Sequence, residues 1–158
     1  MQFIHNDGGR AAAGFKGSAG DCVTRAVAIA SGLPYAEVYK TLAAGTGVQR
    51  AGKRGKRAAS ARSGVNVSRK WFKDYMVSLG FKWTPTMFIG QGCKVHLRED
   101  ELPAAGRLVV SVSRHYTAVI DGAIHDTHDP QRLAFGEDSD KTDIHGTRCV
   151  YGYWSKEA

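Results

Sequence analysis

Midway along the chain the spacing of apolar residues changes, and this limits the fold more than any other feature of the sequence. From Cys22 to Gly47 and again from Ser68 to Leu79 apolar residues recur every three or four positions, with an unpatterned basic loop between, whereas after Arg107 β-branched residues gather in short runs. Val23, Ala26, Val27 and Ala30 share one helical face, with Asp21 as N-cap and Gly32 as the stop. Leu33-Pro34 opens a second helix with Val38, Leu42 and Ala43 as its buried stripe, closed by Gly45 and Gly47. A third is predicted over Ser68 to Leu79: Ser68 caps it, Gly80 ends it, and Trp71, Phe72, Tyr75, Met76 and Leu79 line one side. Residues 107–113, 115–121 and 149–154 read as strands. Helices first and strands later predict an α+β fold, with N-terminal helices packed on a C-terminal antiparallel meander. Residues 6–20, with five glycines, read as an irregular leader.

The 158 residues suit a single domain spanning 1–158. No run approaches the roughly 20 apolar residues that cross a bilayer, so no membrane association is expected. The N-terminus lacks an export signal, which predicts a cytoplasmic location. Three cysteines at irregular spacing do not form a paired framework, and reduced thiols are expected. The net charge of +7 is concentrated: residues 48–73 carry nine basic groups and no acidic one, while the rest is slightly acidic. A basic loop at about 48–67, with Lys53, Arg54, Lys56, Arg57 and Arg62, is a candidate site for nucleic acid or an acidic protein. A solvated loop explains the same residues equally well.

Cys22 falls in the first turn of the first predicted helix, where peptide dipoles and unpaired N–H groups favour a thiolate. The charge of Asp21 opposes this unless its carboxylate is engaged in capping. A packed, inert cysteine is the competing reading. Asp121-Gly122 between two apolar runs signals a two-residue hairpin. Pairing Ile120 with Ala123 then sets Thr117 opposite Asp126 and His115 opposite His128, making His115 and Asp126 diagonal neighbours about 7–8 Å apart. A carboxylate so placed fixes an imidazole tautomer, as the third member of a triad does. A one-residue slip would substitute Asp129. Cys93 with His96, and His125 with His128, each offer two metal ligands, short of a zinc site, and Cys149 reads as a core residue.

The order of a cysteine opening a helix, a histidine heading a later strand and an aspartate after the next resembles the papain-like fold in its reduced forms, including bacteriocin-processing peptidases. Gly20-Asp21-Cys22-Val23-Thr24-Arg25-Ala26, residues 90–97 and Val119-Ile120-Asp121-Gly122-Ala123-Ile124-His125-Asp126 are also similar to uncharacterised phage and prophage proteins. The resemblance implies a catalytic triad of Cys22, His115 and Asp126 in a thiol protease or amidase. It implies a peptide, isopeptide or other amide substrate on a protein, an acyl-enzyme, no cofactor or metal, and the host cytoplasm if the protein is phage-encoded. Larger papain-like enzymes carry an oxyanion glutamine about six residues before the cysteine; this chain has Lys16 there, leaving Asn6 or Gln91 as candidates beside the Cys22 N–H. The alternative is a non-catalytic counter-defence protein binding nucleic acid or another protein through the basic loop, with Trp71, Phe72 and Tyr75 stacking if exposed.

Overall fold

A computed structural model describes residues 1–17, 20–48, 64–135 and 144–157. The three helices are α1 (Cys22–Ser31), α2 (Tyr35–Val48) and α3 (Lys70–Ser78). The strands are β1 (Gln2–His5), β2 (Lys82–Pro85), β3 (Arg107–Val112), β4 (His115–Ile120), β5 (Ala123–Asp126), β6 (Leu133–Phe135), β7 (Ile144–Gly146) and β8 (Val150–Lys156). Six of them form one sheet in the order β1-β5-β4-β3-β8-β2, and β6 pairs with β7 separately. The architecture is α+β.

The C-terminal meander is as expected: β5, β4, β3 and β8 pair antiparallel in succession. The sheet nevertheless recruits two strands that precede the meander in sequence. β2 extends it antiparallel to β8, and β1 joins β5 in parallel, so the sheet is neither wholly C-terminal nor wholly antiparallel. Gln2–His5 is short and follows no turn signal, so its strand conformation depends on the free edge of β5.

Strand alternation divides the interior into two layers. Val109, Tyr116, Ala118 and Trp154 face the helices, packing with Val27 and Ala30 of α1, Val38 and Leu42 of α2, and Phe72 and Met76 of α3. Leu108, Val110, Val112, Val119, Ile124 and Val150 face the other way and are covered by Leu97 and Leu102. Each large side chain buried in these layers stabilises the fold by about 1.5–3 kcal/mol.

α2 does not end at Gly45 as expected but continues to Val48. Glycine at 45 serves packing instead: a Cβ there would lie 2.3 Å from Cε3 of Trp71. The N-cap of α3 is Arg69 rather than Ser68, whose N–H and hydroxyl donate to Asn66 Oδ1 at 3.1 and 2.6 Å. Most of the basic loop, including Lys53, Arg54, Lys56, Arg57 and Arg62, lies outside the described residues.

The β4–β5 hairpin turns at Asp121 and Gly122, whose φ values of 47° and 80° are both left-handed, as a two-residue loop with matching twist requires. Its register is the anticipated one: Ile120 with Ala123, Val119 with Ile124 and Ala118 with His125. A second tight turn, with Arg114 at φ 56°, joins Val112 to His115 and sets the imidazole at the start of β4.

Candidate active site

Cys22, His115 and Asp126 meet where α1 begins, β4 begins and β5 ends. α1 packs along β4, which brings its first turn to the head of that strand. Cys22 is partly buried and lies close enough to His115 and to the backbone N–H of Tyr116 for both to lower its pKa. His115 Nε2 lies 2.6 Å from Asp126 Oδ2. With Nε2 facing Asp126, Nδ1 is the ring nitrogen left for Cys22. The ring of His128 lies 4.9 Å from that of His115, centroid to centroid, and shields its outer side.

Charge distribution follows from these contacts. Burial alone would raise the Cys22 thiol pKa; the adjacent His115 ring, the Tyr116 N–H and the charges of His115 and Arg25 outweigh it and bring the pKa below the ordinary thiol value. Burial alone would lower His115, but its hydrogen bond to Asp126 and the nearby Cys22 raise it to about 9. Asp126 is pulled down against the opposing effect of burial by His115, by the Thr117 hydroxyl and by the Thr127 N–H, which donates at 2.7 Å to Oδ1. Thr117 lies against the carboxylate without completing a well-aligned hydrogen bond. The arrangement therefore favours a thiolate–imidazolium pair backed by a carboxylate.

Asp21 occupies the N-cap position, but its side chain caps nothing, contrary to expectation. It is buried and binds Arg25, the Tyr35 hydroxyl at 2.5 Å and Arg10 Nε at 3.3 Å. The two guanidiniums offset the charge that would have opposed the thiolate. Cys22 is the first residue of α1, and its N–H is among those with no partner inside the helix, which makes it the backbone candidate for an oxyanion donor.

Neither proposed amide donor is directed at the sulfur. Asn6 donates through Nδ2 to His125 Nδ1 at 3.3 Å and accepts from the Gly8 N–H at 2.8 Å. Gln91 is exposed in the turn after Phe88, with its N–H bonded to the Phe88 carbonyl. Asp129, the alternative to Asp126, accepts from the N–H and amide of Gln131. His96 pairs with Glu101, and Cys93 is bonded to Cys149. The expectation of three reduced thiols, with Cys149 in the core, is thus corrected: these two cysteines lie 56 residues apart in sequence but 5.9 Å apart at Cα, because residues 93–97 run beside the start of β8. Cys22 is the free thiol. Among the described residues no group of three or more His, Cys, Asp or Glu side chains is arranged to hold a metal ion, and no helix is long and apolar enough to cross a membrane.

Two arginines at the site escaped the sequence reading. Arg25 contacts both Asp21 and Asp126; the one available signal was a cation one turn after an acid in an otherwise apolar helix. Arg148 donates to the Pro130 carbonyl at 2.9 Å and the Ser113 carbonyl at 2.6 Å, tying the loop beyond Asp126 to the turn before His115. Nothing local in sequence marks it.

No family model, curated protein or solved structure matches this chain.

Proposed function

We propose that the protein is a papain-like cysteine hydrolase, a peptidase or amidase acting on peptide, isopeptide or related amide bonds. The observation that carries this reading is the meeting of Cys22 at a helix start with His115, which lowers the thiol pKa and whose Nε2 lies 2.6 Å from Asp126 Oδ2. The Cys22 thiolate attacks the carbonyl carbon, and the oxygen takes up charge beside the Cys22 N–H. His115 gives its proton to the leaving nitrogen as the C–N bond breaks, producing a thioester and a free amine. Water then attacks the thioester; His115 takes its proton, and the carboxylic acid leaves as the thiolate reforms. Asp126 keeps the ring oriented and favours its protonated form. A purely binding role through the basic loop has no structural observation in its favour, since its central cations lie outside the described residues.

The test is the pH dependence of Cys22 alkylation by iodoacetamide in a Cys93→Ser/Cys149→Ser background, which leaves one thiol. A thiolate reacting well below pH 8, and depending on His115, supports the proposal. An ordinary thiol indifferent to His115→Ala defeats it.

A further inference from the structure

A cleft of about 310 Å³ lies on the helix side of the sheet. Its lining includes Trp83 from β2, Ser111 from β3, Tyr116 from β4, Tyr151 and Trp154 from β8, and Lys73 from α3. Tyr116 links cleft and candidate active site: it follows His115 at the head of β4, belongs to the cluster against which Cys22 packs, and forms part of the cleft wall. A group that projects from a substrate held at Cys22 and passes Tyr116 runs into this cavity.

The lining identifies the chemistry. Four of the side chains are aromatic, and no carboxylate is among the described residues that line the cleft. The Trp83 and Trp154 rings lie 5.2 Å apart at their centroids. Trp83 rests against the backbone of β8 because position 152 is glycine; a Cβ there would come within 2.4 Å of its ring. Trp83 and Tyr151 nevertheless remain 38% and 39% exposed, so two large apolar surfaces are left in water at the β8–β2 end of a cleft whose β4 end is Tyr116. Covering them releases that water, and aromatic walls take up flat apolar groups with the strongest packing. The volume is at the small end for ligand pockets, enough for a side chain and too small for a large ligand.

We propose that this cleft is the specificity pocket of the site and that it receives a large apolar or aromatic side chain of the amide substrate. This rests on the hydrolase reading above, and the experiment separates failure of the pocket from failure of that reading.

Cys22 is alkylated in the same single-thiol background with three reagents sharing one warhead: iodoacetamide, N-phenethyl-iodoacetamide and N-(2-aminoethyl)-iodoacetamide. In each, the thiolate forms an S–C bond and iodide leaves, so the substituent alone differs. Rates are divided by those for glutathione to remove intrinsic reactivity. The phenethyl reagent is expected to gain about tenfold or more over the parent, the usual discrimination of an apolar pocket, while the ammonium reagent gains nothing beside Lys73. Trp83→Ala and, separately, Tyr151→Ala reduce that ratio to about three or less on the same scale, and Trp83→Phe restores part of it. Val77→Ala, on an exposed part of α3, keeps the wild-type ratio. A ratio near one together with His115-dependent rates overturns the pocket and leaves the triad reading standing. An aryl preference that survives both aromatic truncations also overturns the pocket. A thiol that matches glutathione with every reagent and ignores His115→Ala overturns both.

Discussion

Arg25 reaches across from α1 to place Nη2 3.6 Å from Oδ1 of Asp126, the carboxylate oxygen that His115 does not use. One helical turn along from Asp21, the same guanidinium binds the Asp21 carboxylate. A single cation thus links the helix that carries Cys22 to the strand that carries Asp126. Its charge also helps lower the Cys22 pKa, so position and electrostatics come from one side chain.

Asp126→Asn removes the negative partner that raises His115 against the effect of burial, so the imidazole pKa falls from about 9 and the thiolate loses its cation. The alkylation profile of Cys22 moves to higher pH, and each unit of movement lowers the rate below the midpoint about tenfold. For stability the sign follows from Asp126 being depressed in the fold. Its contribution is present above the unfolded carboxyl value of about 3.9 and is lost as pH falls through the folded value, so the variant shows a weaker acid-side decline. Rate profiles and urea unfolding between pH 3 and 7 check the two outcomes.

Asp21→Ala leaves the buried Arg25 and largely buried Arg10 guanidiniums without their shared carboxylate, and the Tyr35 hydroxyl without its acceptor. Removing one side of a buried ion pair costs about 3–5 kcal/mol, read as a lower urea midpoint. Tyr35, held high by burial and by the Asp21 charge, then titrates at lower pH in an ultraviolet titration.

Arg148→Ala frees the Ser113 and Pro130 carbonyls and with them the turn before His115. Two hydrogen bonds to a charged group, each worth about 1.5–3 kcal/mol, place the loss at roughly 3–6 kcal/mol by chemical denaturation. Arg148 acts through position, so the alkylation profile of Cys22 shifts toward higher pH as His115 loosens. Arg148→Lys, keeping one donor and the charge, recovers part of that shift.

Two glycines in α2 respond oppositely to alanine. At Gly45 the new methyl meets the Trp71 ring, and overpacking of about 1–3 kcal/mol outweighs the better helix propensity. At Gly47 nothing lies within 4 Å of the new Cβ, and the change stabilises by up to about 1 kcal/mol. Thermal melts of the two variants should move in opposite directions.

The Cys93–Cys149 bond makes a direct count possible: unfolded without reductant, the protein presents one thiol to Ellman's reagent, and after reduction three. Replacing both cysteines costs about 2–4 kcal/mol through the freed chain.

Local sequence determined the helical faces of Val23 to Ala30 and Phe72 to Met76, the β-branched strands and the Asp121-Gly122 hairpin. These depend on neighbours within a few residues and on one rule of alternation. That hairpin was enough to bring His115 and Asp126 to the same place, because register follows from the turn. Only the tertiary structure decided that Gln2–His5 becomes a strand on the edge of β5, that Arg25 joins two carboxylates, that Arg148 binds two loops, and that Cys93 meets Cys149. It likewise turned Asp21 from a cap into a buried counter-charge and Gly45 from a helix stop into a seat for Trp71. In each case the deciding partner is distant in the chain or set by how helices and sheet pack, and neither spacing nor propensity carries information about such partners.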